Sequence, residues 1–153
     1  MKRLVMILIV GMLIFSSALA GAAPAVPPSQ MKIFYIVKAS ESEFWQIVLD
    51  GANRAAKHFG VELIAQSATS ESDVARQVSI LETAIGTEPD AIVIAPTVAD
   101  ALVPGIEQAM DAGIPVIIID SAANTDKYVA YLASDNYKIG QIAADEMAKA
   151  LEK

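Results

Sequence analysis

The sequence predicts an α/β fold: a parallel sheet with helices on both faces and strand order 2-1-3-4-5. Three observations predict it. Apolar runs rich in β-branched residues start near residues 32, 62, 91 and 116 and alternate with segments of helical spacing, the pattern of right-handed βαβ units. The runs are nearly continuous, as expected of strands buried on both faces. The chain is 153 residues long, 54% hydrophobic and 19% charged, which suits one domain with a packed core.

The elements follow in order. Lys2 and Arg3 precede an apolar run from Leu4 to Phe15, and Ala18-Leu19-Ala20 fits a signal-peptidase site, with Gly21-Ala22-Ala23 as a second choice. Residues 1–20 are therefore expected to be a secretory signal peptide, since a membrane span takes about 20 apolar residues. No cysteine follows to carry a lipid. Residues 21–31 hold Pro24, Pro27 and Pro28 and read as an extended leader. The expected location is periplasmic or extracellular, after cleavage behind Ala20 or Ala23.

The first strand is Ile33 to Val37, with Lys38 at its end. Ser40 and Glu43 fit a capping box for the first helix. Phe44, Val48, Ala52, Ala55 and Phe59 give that helix an apolar face, which leaves Trp45 off it. Lys57 and His58 suit its last turn and Gly60 ends it. Glu62 to Gln66 is the second strand, and Val74, Val78, Leu81 and Ile85 line the second helix. Ala91 to Ile94 is the third strand, and Pro104 opens a helix that carries Ile106, Ala109 and Met110. Val116 to Ile119 is the fourth strand, ended by Asp120-Ser121. Tyr128 to Leu132 is a short fifth strand. Ser134-Asp135-Asn136 is a turn and cap before a final helix from about Tyr137. With this order the switch point falls between the first and third strands, so the loops Lys38–Trp45 and Pro96–Asp100 should face one crevice.

Composition excludes several functions. Removing residues 1–20 takes away Lys2 and Arg3 and no acid, which moves the formal charge from −7 to −9. An acidic exported chain is a poor nucleic-acid binder. With no Cys and His58 as the only His, no zinc or iron site and no metal cofactor are expected. No nucleophile elbow, phosphate loop or dinucleotide fingerprint is present, so no enzyme is expected.

The chemistry that remains lies at the strand ends. Carboxylates, amides and amines satisfy sugar hydroxyls, at roughly 1.5–3 kcal/mol per charged hydrogen bond. Aromatic rings pack on sugar C–H faces. Lys38, Glu43, Phe44, Trp45, Asp120 and Ser121 supply these groups and are the candidate ligand-binding residues. By periodicity Phe44 belongs more to the core and Trp45 more to the crevice, and Glu43 has a second role in the capping box.

Four stretches carry a family resemblance: Lys38 to Ala52, Pro89 to Pro96, Ala112 to Asp120 and Ala133 to Gly140. In order and spacing they resemble periplasmic sugar-binding proteins of the ribose-binding type, the solute receptors of ABC importers. The resemblance implies one lobe of a type I periplasmic binding protein fold, which closes with a second lobe on a sugar or cyclitol and delivers it to a membrane permease. It implies ligand contacts from Lys38, from Phe44 with Trp45, and from Asp120. Ser42-Glu43-Phe44-Trp45 stands where ribose receptors carry Asn-Pro-Phe-Phe, and Asp120-Ser121 where they carry Asp-Arg; the absent Arg argues against ribose itself. Lys38 and Glu43 suggest other hydroxyls, or an amine or acid on the ligand. Family members are much longer than this chain. Residues 32–136 are therefore expected to form the N-terminal lobe of an incomplete receptor, and 137–153 the first helix of a second lobe, with an apolar stripe available for self-association. Alternative readings are a sensor domain related to transcription regulators and a small exported flavodoxin-like enzyme.

Overall fold

The computed structural model describes residues 27–152. The expected signal peptide and the leader as far as Val26 lie outside them. The rest of the leader is not fully extended: Pro28–Gln30 forms a 3₁₀ turn, closed by Gln30 N–H donating to Pro27 O at 2.9 Å.

Five strands form one parallel sheet: β1 (Lys32–Ala39), β2 (Glu62–Ala68), β3 (Ala91–Ile94), β4 (Val116–Ile119) and β5 (Ala130–Leu132). Their order is β2-β1-β3-β4-β5, as predicted. The helices are α1 (Glu43–Phe59), α2 (Val74–Gly86), α3 (Val103–Asp111) and α4 (Asn136–Leu151).

Alternate strand residues serve opposite faces. Phe34, Ile36, Ile92, Ile94, Val116 and Ile118 point to one face and are buried with Leu81 and Ile106 of α2 and α3. Gly105 lets those two helices approach, because a Cβ there would stand 2.6 Å from Leu81 Cδ2. Among the described residues, the opposite face lies under α1 alone. It holds a small buried cluster of Val37, Ala39, Trp45 and Ala95. No residue of α4 is buried.

The start of α1 departs from the sequence-based expectation. The helix begins at Glu43, and its N-cap is Ser42 with no side-chain cap bond, so Ser40 and Glu43 form no capping box. The reason is that Ser40, just past the end of β1, is still bonded to the neighbouring strand, its N–H donating to Ala68 O at 3.0 Å. The end behaves as expected: Gly60 takes the left-handed conformation (φ 72°) and closes the helix onto Ala56 O. At α4, Asp135 caps as predicted, accepting from Lys138 N–H at 2.9 Å.

Candidate functional site

The carboxyl ends of β4 and β5 and the start of α1 meet at a groove of about 390 Å³, lined by Tyr35, Phe44, Trp45, Val48, Ile119, Asp120, Leu132, Ala133 and Ser134, with Lys38 and Ser121 outside the lining. It lies further toward β4 and β5 than the switch point suggests, and the Pro96–Asp100 loop does not line it.

Lys38 reaches the crest of the sheet through a β-bulge. Val37 pairs with Ser67 and Ala39 with Ala68, so Lys38 is the extra residue. A bulge re-aims its side chain, here across the end of β3 to β4. Lys38 Nζ donates to Ser121 Oγ at 2.6 Å and lies 2.8 Å from Asp120 Oδ2. Ser121 Oγ–H donates to the same Asp120 Oδ2 at 2.9 Å. The Lys38 ammonium also stands 5.6 Å from the centre of a Trp45 ring, within range of the ring's negative face.

Asp120 has a left-handed backbone, φ 63°, which Asp tolerates better than most residues but at some cost. Its neighbours hold it there: Asp120 N–H donates to Leu132 O at 2.9 Å, and Tyr131 O–H donates to Asp120 O at 3.1 Å. Burial pushes its carboxyl pKa up, but hydrogen bonds from Lys38 and Ser121 and the positive charge of Lys38 outweigh that, so the group stays ionised below the usual carboxylate range. Burial pushes the Tyr35 phenol up, so it remains neutral in the groove.

The two aromatic residues exchange the places that periodicity assigns them. Trp45 is 2% exposed and Phe44 is 54% exposed. The most buried stripe of α1 runs from Trp45 through half-buried Leu49 and Ala52 to Ala56, and Phe44 stands beside it. Trp45 Nε1–H donates to Glu71 Oε1 at 2.7 Å, which satisfies the one polar atom of a buried indole. Trp45 thus forms the floor of the groove and Phe44 an accessible wall; their rings meet edge to face at 4.9 Å. Glu43 is exposed at the first position of α1 and is not a lining residue of the groove.

Three contributors escaped sequence reasoning. Tyr35 sat in a strand run read as uniformly buried. Glu71 lay in a polar loop without a distinguishing signal. Gln77 did carry a signal, a polar residue inside the apolar stripe of α2. It is fully buried, donates through Nε2 to Ala95 O at 2.8 Å and accepts from Thr97 N–H at 2.9 Å. It thereby fixes the loop after β3 beside the crest.

A second groove, of about 380 Å³, lies on the same side of the sheet between the start of β1 and the end of α1; Met31, Ile33, Phe59 and Leu63 are among its lining residues. It is almost wholly apolar and offers little to fix a polar ligand.

Comparison with known proteins agrees with the fold. The chain is 32% identical to the D-ribose/D-allose-binding protein of Pseudomonas aeruginosa, across 86% of this chain and 44% of that protein. It is similar to the structure of a carbohydrate transporter solute binding protein from Agrobacterium radiobacter in complex with D-arabinose, with 42% identity and a TM-score of 0.73 over 80% of this chain and 41% of that one. It is also similar to an ABC transporter solute binding protein from Agrobacterium vitis with bound D-fucose, with 41% identity and a TM-score of 0.71 over 78% and 42%. The chain thus spans less than half the length of these proteins. The model of the periplasmic binding protein domain matches residues 33–153, and the chain belongs to that family.

Proposed function

We propose that this chain forms the ligand-binding lobe of an exported receptor, which presents a sugar or cyclitol to an ABC importer in the membrane. The observation that carries the reading is the Lys38–Asp120–Ser121 cluster beside the accessible Phe44 ring, at the carboxyl ends of the strands. Ligands of open α/β sheets bind at that edge, and a fixed charged pair beside an aromatic wall matches the hydroxyls and C–H faces of a pyranose. Export places the receptor in the periplasm or outside the cell. It binds its ligand without turning it over. Phe44, Asp120, Lys38 and Ser121 carry the contacts, Trp45 supports them from below, and Glu43 is left at the rim.

The same proposal covers α4. None of its residues is buried, and Ile139, Ile142 and Met147 are each more than half exposed. That supports reading residues 137–153 as the start of a second lobe, whose stripe pairs two copies when the chain stands alone. Light scattering over a concentration series should show association that a chain lacking these residues does not.

The binding test is a titration of the chain with D-arabinose and D-fucose, followed by amide NMR. The described residues supply one wall of a cleft, which leaves much of a ligand in water. The expected affinity is roughly millimolar or weaker, with shifts confined to residues 38–45 and 119–134. Micromolar binding by this chain alone, or shifts located elsewhere, would overturn the reading.

A further inference from the structure

Lys38, Asp120 and Ser121 close on one another. Lys38 is 12% exposed, with its ammonium held between Ser121 Oγ, Asp120 Oδ2 and the Trp45 ring. Asp120 is more open, at 35%. Its Oδ2 already receives Lys38 and Ser121, which leaves Oδ1 as the oxygen that neither of them engages, on a residue that lines the groove. The backbone of Asp120 is held by Leu132 O and the Tyr131 hydroxyl, and its carboxylate by Lys38 and Ser121.

We propose that this cluster sets the charge of the ligand: it offers an internally neutralised pair that accepts an uncharged polyol and rejects both acids and amines, with Ser121 as the residue that positions Lys38 on Asp120. The inference rests on reading the groove as a sugar site, and of the ligands that Lys38 and Glu43 suggest, other hydroxyls or an amine or acid, it keeps the hydroxyls alone.

The argument is one of competition. An acidic ligand must draw Lys38 off two charge-assisted partners. It then leaves Asp120 unpaired in a partly dry site, where a lone charge is costly. A cationic ligand sets a second ammonium against one carboxylate already paired with Lys38. A hydroxyl does neither, because it donates to Oδ1 and leaves the pair intact. Ser121 matters because it both accepts from Lys38 and donates to Asp120. Without it the ammonium is held by Asp120 alone and can swing toward an incoming anion.

The experiment uses three compounds with one ring stereochemistry and different charge: D-fucose, D-galacturonate and D-galactosamine. Each is titrated into the full chain at about pH 6, where the carboxylates are ionised and the amine is protonated. Amide shifts at residues 43–45 and 119–121 are the readout. D-fucose should bind at least tenfold more tightly than either charged compound. Lys38→Met frees the Asp120 charge, so D-galactosamine should gain at least tenfold relative to D-fucose. Ser121→Ala should improve D-galacturonate severalfold relative to D-fucose, a change of selectivity that a loss of packing would not produce. If D-fucose binds but a charged compound binds as well as it does, the charge rule is overturned and the sugar site stands. If none of the three moves those amides, the sugar site fails and the charge rule with it.

Discussion

The two faces of the sheet are built by alternate residues of the same strands, yet they end in different states. On the face beneath α2 and α3, Ile36, Ile92, Ile94, Val116 and Ile118 are wholly buried. On the other face, Ile33, Tyr35, Val93, Ile117 and Ile119 are as apolar and only partly buried. Among the described residues only α1 lies on that face, and of α1 only Trp45 and Ala56 are buried. The difference teaches that apolar character marks a face fit for covering, while burial depends on what the chain lays over it. Stability is therefore concentrated on the closed face and in the small cluster around Trp45. The proposed ligand chemistry runs along the crest of the open one, where Phe44 is exposed and Asp120 partly so.

The largest expected effect tests the exception on the open face. Trp45→Ala should cost about 3–5 kcal/mol, the usual range for emptying a buried aromatic site. It also strips Glu71 of its indole partner. Phe44→Ala, one residue away but more than half exposed, should stay within about 0.5 kcal/mol and weaken sugar binding instead. Urea denaturation of both variants measures the contrast. Equal losses would mean that the open face has no private core.

The next pair compares the faces directly. Leu81→Ala, beneath α3 on the closed face, should cost about 2–5 kcal/mol. Ile117→Ala on the open face should cost only about 1 kcal/mol, because partial burial forfeits part of the 1.5–3 kcal/mol that full burial contributes. Thermal midpoints that move by the same amount would contradict the contrast.

A smaller effect belongs to the seam between the closed face and the crest. Gln77→Leu keeps the volume and removes both hydrogen bonds, leaving Ala95 O and Thr97 N–H without the Gln77 partner. A buried polar group left so costs about 1–3 kcal/mol. Amide exchange at Thr97 should quicken more than at Ile94, three residues earlier at the end of β3 and wholly buried. Uniform quickening would argue that Gln77 acts only through global stability.

The fold was legible because its signals are local and repeated. Runs such as Val116 to Ile119 are strands whatever surrounds them, and Pro104 and Gly60 mark helix ends by backbone geometry alone. The meeting of Lys38 with Asp120 and Ser121 was legible, since residues that end strands of one parallel sheet lie along one edge. Phe44 and Trp45 were not legible in detail. A shift of one residue in the helix start turns a side chain by about 100°, and that start was set by Ser40 bonding to Ala68, a contact distant in sequence. The Lys38 bulge and the Glu71 bond to Trp45 also join distant segments, and periodicity carries no information about either.

The smallest expected effect is a pH dependence that singles out the crest. The Asp120 carboxyl lies below its ordinary value of 3.8 in the folded chain. A group depressed in this way contributes stability that is fully present above its unfolded value and is lost as pH falls through the folded one. The window therefore opens below about pH 4, on the acid side only. Within it the unfolded chain takes up the proton first and the Lys38 pair is the cost. The closed face contributes nothing to this, because its buried cluster is entirely apolar. Asp120→Asn removes the titration while keeping a residue that accepts the left-handed backbone. Stability measured by urea between about pH 5 and pH 3 should fall less steeply in the variant than in the parent chain, and carboxyl NMR should show Asp120 of the folded parent titrating below its ordinary range. Parallel slopes would mean that Asp120 titrates alike in the folded and unfolded chain, and that the closed pair on the open edge is looser than its 2.8 Å contact implies.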